Sequence, residues 1–340
     1  MHTIGLLVAA ALVVVGCGSS GDAGSADFTA TLEHTFDPIP VESGAEEYWC
    51  QSWTIGNDET LYVNKVRQVN GGGWHHSNWS FVPENMFGED GTWKCNDRDW
   101  DQVVAAAAGG FIFAQSTQAL VEVQAFPEGA VIVVPPRSKI VGTVHLFNVA
   151  ASPIDSSLTM GFQTIEEEEI EIELRELNFA NFTIAIPELR QSRWAQTCDI
   201  GEYVGESFNV YYVLGHYHQW GNYFKLSFVD DDGSERTIVE FDNSPGDTLG
   251  VTIDPPINSE GAVRLKYVCG FNNTTDHVLH WGNNAQEEMC QFLAYTDADN
   301  KIAAYPAGNV PELMGETEDG VLMYDTACEG GLIIGLPGQN

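Results

Sequence analysis

Short apolar runs separated by turn residues are the feature of this chain that most constrains its fold. Five such runs, rich in β-branched and aromatic residues, occupy residues 130–134, 140–149, 207–213, 223–229 and 264–268. Residues 166–173, which end in alternating acid and isoleucine, predict a strand with one solvated face. Turn residues recur about every ten positions, and no long stretch has the 3.6-residue period of a helix. The pattern predicts an all-β fold of antiparallel sandwiches, with a short helix at residues 101–108.

The length of the chain predicts two tandem sandwiches. The chain has 340 residues, and a domain typically has about 100–150. A proline followed by mostly polar residues at 187–192 is a natural boundary. We therefore predict an N-terminal domain over residues 28–186 and a C-terminal domain over residues 187–340.

The N-terminus has the pattern of an export signal. Residues 4–16 are apolar or small, end at Gly16-Cys17 and are followed by a Gly/Ser-rich segment. The apolar stretch is too short to span a bilayer, and a small residue before cysteine resembles the cleavage site of bacterial lipoproteins. We predict a signal over residues 1–17, a flexible tether over 18–27 and membrane attachment in the cell envelope through lipidated Cys17, with plain secretion as the alternative.

The remaining cysteines predict a disulfide framework. An even number of cysteines in an exported chain indicates three bridges, for which fifteen pairings are possible. The predicted boundary leaves two cysteines in the first domain and four in the second, so we expect pairing within each domain. These six are Cys50, Cys95, Cys198, Cys269, Cys290 and Cys328.

The charge of the chain excludes one class of partner. The formal net charge is −35, with only 14 lysines and arginines. Nucleic acid is not an expected partner, because phosphate binding needs a basic surface. The acidic surface either attracts cations or reflects the general chemistry of the source.

Five histidines in three short motifs are candidate metal ligands. His216 and His218 are two apart in a predicted strand and therefore share a face. His75 and His76 are adjacent, so the backbone must bulge for both to reach one ion, and the three glycines at 71–73 supply that freedom. His145 lies in an apolar strand. Each motif alone is also compatible with packed or incidental histidines.

Met289 suggests which metal the histidines bind. Thioether sulfur is soft and suits Cu(I), while imidazole suits both Cu(I) and Cu(II). Three imidazoles in the first domain, and two imidazoles with Met289 in the second, therefore predict copper that changes oxidation state. No cysteine is needed as a ligand.

The order of these motifs resembles a known family. His75-His76, Val144-His145, His216-x-His218 and Glu288-Met289-Cys290 resemble the copper type II, ascorbate-dependent monooxygenases, which include peptidylglycine α-hydroxylating monooxygenase and dopamine β-hydroxylase. The resemblance covers about residues 45 to 295. It implies two facing jelly-roll-like β-sandwiches and two coppers per chain.

The resemblance also assigns roles to residues. His75, His76 and His145 look like ligands of an electron-transfer copper, and His216, His218 and Met289 look like catalytic ligands of the copper that activates oxygen; His280 resembles a residue near that site. Cys50–Cys95 and Cys269–Cys290 match bridges of the family, which leaves Cys198–Cys328 by elimination. The implied function is an exported monooxygenase that hydroxylates an aliphatic C–H of a small organic substrate with O2 and an external reductant. Ascorbate is that reductant by resemblance, although an acidic surface would repel it.

The chain departs from the family at three substrate positions. Leu214, Gln291 and Leu293 stand where peptide-hydroxylating members carry Arg, Asn and Tyr. Because leucine cannot pair with a carboxylate, we do not expect a glycine-extended peptide as substrate. Two alternatives remain open at this point. One is a surface copper-binding or copper-buffering protein without turnover, and the other is a structural module with packed histidines.

Overall fold

The computed structural model describes residues 28–116, 118–200, 207–242, 250–305 and 309–332. It is an all-β sandwich protein, as predicted, and its described part contains one short α-helix. The predicted signal, the tether and Cys17 lie outside these residues. Among the described helices, none is long and apolar enough to cross a membrane.

The first eleven strands, here called the first half, form two facing sheets. They are β1 (Leu32–Val41), β2 (Glu46–Thr54), β3 (Leu61–Asn70), β4 (Trp74–Pro83), β5 (Gly91–Trp93), β6 (Gly110–Gln115), β7 (Val121–Ala125), β8 (Ala130–Val134), β9 (Ser138–Phe147), β10 (Ile154–Thr164) and β11 (Ile172–Glu173). One sheet has the order β1-β10-β3-β8-β11 with β7 also on β3, and the other has the order β5-β2-β9-β4-β6. Alternate side chains of both sheets fill the core between them.

The remaining strands, here called the second half, form one long sheet that folds onto itself, plus a short pair. They are β12 (Arg175–Ala180), β13 (Ala185–Ile186), β14 (Arg190–Asp199), β15 (Asn209–His216), β16 (Gly221–Asp230), β17 (Glu235–Asp242), β18 (Val251–Asn258), β19 (Ala262–Asn273), β20 (Leu279–His280), β21 (Gln291–Thr296), β22 (Ile302–Tyr305), β23 (Glu312–Glu316) and β24 (Leu322–Leu332). The order is β17-β16-β19-β14-β24-β22-β12-β21-β15-β18, with β23 on β24 and β13 paired with β20. β24 pairs first with β14 and then with β22, so it joins the two layers around a second core.

The two halves share a continuous apolar contact. Tyr211, Tyr212 and Leu214 of β15, with Leu293 and Tyr295 of β21, belong to the core of the first half. β11 still pairs with a strand of the first half, whereas β12 pairs with β21 of the second half. The domain limits at residues 186 and 187 stay a prediction.

The predicted helix is confirmed, and one predicted strand is wrong in its first part. The α-helix α1 spans Gln102–Ala108, and the Asp101 side chain caps it by accepting from two backbone N–H groups. The strand predicted at residues 166–173 is wrong for its first part, where a 3-10 turn covers Glu167–Glu169. The Glu169 carboxylate accepts from the Glu166 backbone N–H at 2.9 Å, a capping arrangement that favours a helical turn over a strand.

All three expected disulfides are confirmed. Cys50–Cys95 ties β2 to the turn before α1, Cys198–Cys328 links the neighbouring strands β14 and β24, and Cys269–Cys290 ties β19 to the start of β21. Three disulfides indicate folding in an oxidising compartment, and therefore an exported protein.

Candidate metal centre

A bulge at the start of β4 presents two adjacent histidines to the same region. The register of β4 against β9 shifts between Trp74 and His76. Gly72 and Gly73, just before the bulge, have φ values of 94° and 73°, which side chains with a Cβ rarely adopt. The rings of His75 and His76 consequently lie 5.3 Å apart, centroid to centroid, as the sequence predicted for a bulged pair.

His145 lies directly across from His76 on the neighbouring strand. The two are register partners between β9 and β4, and His145 Nδ1 is 3.0 Å from His76 Nε2. Two nitrogens that share one ion at about 2.0–2.1 Å lie about 3 Å apart, so this separation suits two ligands of one metal. On the other side of β9, the Tyr48 ring stacks on His145 at 4.2 Å.

His216 and His218 stand at and just beyond the end of β15. Their rings lie 5.2 Å apart, in agreement with the expected shared face. Nδ1 of His216 lies 2.9 Å from the Ser116 hydroxyl of the first half, and Nδ1 of His218 lies 2.9 Å from the Glu287 carbonyl oxygen. A carbonyl only accepts, so His218 carries its proton on Nδ1 and keeps a lone pair on Nε2.

All five histidines form one cluster, whereas the sequence predicted two separate sites, one in each domain. His76 is the common member, with ring centroids 4.7 Å from His145, 5.1 Å from His216, 5.3 Å from His75 and 5.4 Å from His218. Candidate ligand atoms lie within 4.8 Å of one another in two trios, His75/His76/His145 and His76/His216/His218. The predicted second trio did not contain His76. The reason for the change is that β4 and β9 face the end of β15 across the contact between the halves.

Unpartnered nitrogen atoms show that the cluster is suited to a metal. Nδ1 of His75 and Nε2 of both His216 and His218 are buried and have no hydrogen-bond partner among the described residues. A buried polar atom without a partner costs roughly 1–3 kcal/mol, so three in one cluster need an explanation. Each of the two Nε2 atoms belongs to a ring that is oriented through its other nitrogen, the usual arrangement of a metal-bound histidine. The residues therefore fit an imidazole-bound metal such as copper or zinc.

The cluster is neutral at physiological pH. Burial lowers the pKa of His75 and of His218 to about 4 and that of His145 to about 3. Burial and the neighbouring imidazoles hold the pKa values of His76 and His216 well below their usual range. Neutral imidazole is the form that binds metals, so the site is ready for an ion near pH 7.

Two carboxylates that sequence reasoning missed hold this arrangement in place. Glu46 Oε1 lies 2.7 Å from His145 Nε2 and accepts the Ala285 N–H of the second half at 2.6 Å. Glu288 is fully buried and accepts the backbone N–H groups of His218 and Trp220, each at 2.8 Å. Burial raises the pKa of Glu288 to about 8, and the N–H donors oppose that rise. The Glu-Met-Cys motif was a signal for Glu288, whereas no motif marked Glu46.

Met289 lies in a cleft beside the cluster. The cleft has a volume of about 1020 Å³, lies between the two halves, and has both His76 and Met289 in its wall. The Met289 sulfur accepts from the Gln291 amide at 3.6 Å. Met289 is therefore near the cluster, and its role as a ligand stays a prediction. His277 and His280 lie outside the two trios and are exposed.

The positions that differ from the resembled family have structural roles. Leu214 and Leu293 are 3% and 4% exposed and pack in the core that joins the halves. Gln291 lines the cleft. The two leucines therefore contribute to packing, and their places give no anchor for a substrate carboxylate.

The fold and the cluster define an all-β protein with a histidine-rich candidate metal centre. No protein-family model and no curated protein matches the chain. Among solved structures, PBSX exported protein XepA aligns over 78% of this chain and 86% of its own, at 7% identity and a TM-score of 0.21. The VP2 subviral particle of infectious bursal disease virus aligns over 79% and 73%, at 9% identity and a TM-score of 0.19. Scores this low carry no argument about this chain.

Proposed function

We propose that this chain is an exported copper-dependent monooxygenase, which uses O2 and an external reductant to hydroxylate an aliphatic C–H of a small organic substrate. One observation carries the proposal. Five neutral imidazoles from both halves converge, three of their nitrogens lack partners, and the cluster borders a substrate-sized cleft that also holds Met289. Copper, when bound, supplies the redox chemistry, which no side chain in the cluster provides.

The residues of the chain orient the ligands and shape the reaction space. Ser116 fixes the ring of His216, the Glu287 carbonyl fixes that of His218, and Glu46 fixes that of His145. Because these contacts hold the rings of His216 and His218 through Nδ1, their Nε2 atoms would be available to hold copper without further rearrangement. The cleft has His76 and Met289 in its wall, so a substrate bound there would lie beside both.

The test has to separate copper from zinc, since imidazole binds both. The purified chain is loaded with Cu(I) or with Zn(II), and X-ray absorption is used to look for a sulfur neighbour of each metal. We expect sulfur beside copper, together with reductant-dependent O2 consumption, because thioether prefers Cu(I) and zinc seldom uses it. Copper without a sulfur neighbour, or copper that consumes no O2 when a reductant is supplied, would contradict the proposal.

Met289→Ile tests the sulfur directly, and Met160→Ile is its matched control. Met160 is also buried, but it lies on β10 in the core of the first half. Met289→Ile should lose the sulfur signal and most of the O2 consumption while the histidines still bind copper, and Met160→Ile should keep both. If Met289→Ile behaves like the control, the thioether has no part in the site.

A second candidate is a copper-binding or copper-buffering protein without turnover. The burial of Leu214 and Leu293, which leaves no anchor at the family's substrate positions, favours this alternative. Both candidates bind copper with the same residues. They differ in O2 consumption, because a buffering protein holds copper and consumes no O2 when a reductant is supplied.

Attachment to the membrane through Cys17 is part of the proposal. Lipid on a cysteine that follows the signal would hold the catalytic halves outside the cytosol on the tether of residues 18–27. Cys17→Ser should move the protein from the membrane fraction to the soluble fraction and abolish labelling with a fatty acid. A membrane-bound Cys17→Ser protein would exclude this anchor.

A further inference from the structure

We infer that the cleft beside the histidine cluster binds a neutral, hydroxyl-rich ligand of the saccharide class. The inference deepens the proposed function and rests on it for the reaction. The binding step does not require a bound metal. The lining of the cleft differs from the rest of the molecule in charge, in hydrogen-bonding groups and in exposed aromatic rings.

The cleft is nearly uncharged in a strongly acidic chain. The net charge of the chain is −35, yet among the described residues of the cleft wall only Lys94 and Glu287 are charged. Lys94 pairs with Glu47 and lies 3.8 Å from the Trp49 ring centroid, and the Glu287 carboxylate accepts the backbone and side-chain N–H groups of Asn284 at 3.0 and 2.9 Å. Lys94 is thus engaged within the protein, and the negative charge of Glu287 disfavours an anionic ligand.

Side-chain amides from both halves line the cleft. Asn78 and Gln102 come from the first half, and Asn178 and Gln291 come from the second. The Asn178 amide makes no hydrogen bond with any described residue, and the contact between Asn78 and Gln102 is a long 3.4 Å. An amide offers both donors and acceptors, as a hydroxyl does, so this lining suits a ligand with many hydroxyl groups. A purely apolar ligand would leave these amides without partners.

Aromatic rings stand at the same cleft. Phe182 is 51% exposed, and its ring meets Trp281 edge to face at 4.7 Å. Trp100 and Tyr48 belong to the wall on the side of the first half. The negative face of an aromatic ring attracts the C–H face of a sugar ring, whose hydroxyl groups remain free at the ring edge for the amides.

The size of the cleft favours more than one sugar ring. Its volume of about 1020 Å³ is at the upper end of the roughly 300–1000 Å³ typical of small-ligand sites. An oligosaccharide would extend from Trp281 toward His76 and Met289, where the proposed reaction takes place. The substrate class that follows is a neutral oligosaccharide with a C–H bond beside a hydroxyl group.

Binding to the metal-free and the copper-loaded chain tests the inference. The probes are neutral oligomers of glucose, xylose, mannose and N-acetylglucosamine at up to about 10 mM. Calorimetry and tryptophan fluorescence measure their binding. Uronic acid oligomers and a glycine-extended peptide are the charged comparisons. We expect at least one neutral oligomer to bind to both forms, with the charged probes binding more weakly.

Variants assign the binding to the cleft. Trp281→Ala should weaken binding about five- to tenfold through the loss of a stacking surface, and Asn178→Ala about threefold or more through the loss of a hydrogen bond. Trp53→Ala and Gln191→Ala, on strands outside the cleft wall, should bind as the parent does. The milder Asn178→Ala keeps the test valid if Trp281→Ala fails to fold.

Two different failures are distinguishable. If no neutral oligomer binds, or if the charged probes bind equally well, the saccharide inference is overturned while the proposed copper chemistry stands. If an oligomer binds and the variants weaken it, but the copper-loaded chain with reductant and O2 leaves the oligomer unoxidised, the inference on binding holds and the proposed function fails.

Discussion

Replacing His76 with alanine tests whether the five histidines form one centre or two. His76 contacts the other four rings, with centroid separations of 4.7 to 5.4 Å, and belongs to both trios of candidate ligands. If the trios are coupled through this residue, His76→Ala should lower metal affinity for every ion that the cluster binds. His75 and His218 each belong to one trio, so His75→Ala and His218→Ala should each weaken metal binding at that trio only.

The size of the effect follows from the role of an imidazole ligand. Loss of a residue that merely orients a ligand costs about 10–100-fold in affinity, so loss of a ligand should cost about 100-fold or more. At a free metal concentration 1000 times the dissociation constant, binding stabilises the fold by about 4.1 kcal/mol. A 100-fold weaker site at the same concentration gives only about 1.4 kcal/mol.

Elemental analysis and urea unfolding, each with and without metal, measure these quantities. The metal-free variant is the reference, because it removes the effect of the cavity that alanine leaves in the cluster. The reasoning is refuted if His76→Ala loses one ion and binds a second with the affinity of the parent chain, since the two sites would then be independent.

Three further predictions test the support of the cluster, its protonation and the contact between the halves. Glu46→Ala should weaken metal binding about 10–100-fold, because Glu46 orients His145. Glu47 pairs with Lys94 instead, so the control Glu47→Ala should leave metal binding unchanged. Competition with a chelator measures both affinities. The metal-free chain should lose stability as the pH falls from 6.5 toward 4, by up to about 1.4 kcal/mol per pH unit for each histidine. The reason is that the folded-state pKa values of His75 and His218, about 4, lie below the unfolded value, so the unfolded chain binds more protons. Urea unfolding at a series of pH values measures this loss and should show no such slope from these residues above pH 7. Leu214→Arg should destabilise the fold by about 3 kcal/mol or more because it buries an unpaired charge, while Leu214→Met should cost less than about 1.5 kcal/mol; binding of a glycine-extended peptide by a stable Leu214→Arg chain would reverse our view of that position.

Local chemistry made much of the candidate site predictable. The glycines before His75 and His76 marked the bulge, because a register shift needs backbone conformations that glycine adopts at little cost. The spacing of His216 and His218 gave a shared face, because side chains of a strand alternate with a period of two. The disulfide pairings followed from the resemblance and agree with the structure.

The junction of the two trios was not predictable, because it depends on packing between the halves. β15 is buried along nearly its whole length, so its sequence is apolar on both faces and does not tell which face meets the first half. Glu46 binds partners 99 and 239 positions away, and nothing near it in the sequence marks either contact. Pro187 lies between strands, but the strands begin to pair with the second half before it, because β12 already belongs to the sheet of the second half.

Because the candidate ligands come from both halves, the proposed metal binding would be coupled to the contact between the halves. His75, His76 and His145 face His216 and His218 across the contact, and Glu46 bonds to the loop that follows β20. An ion held by both sets stabilises only the arrangement in which they meet. The cleft has one wall in each half, so the same arrangement defines its width. A ligand that bridges the walls and an ion that bridges the histidines would therefore favour the same state of the protein, and any gain in affinity that one gives the other would be reciprocal.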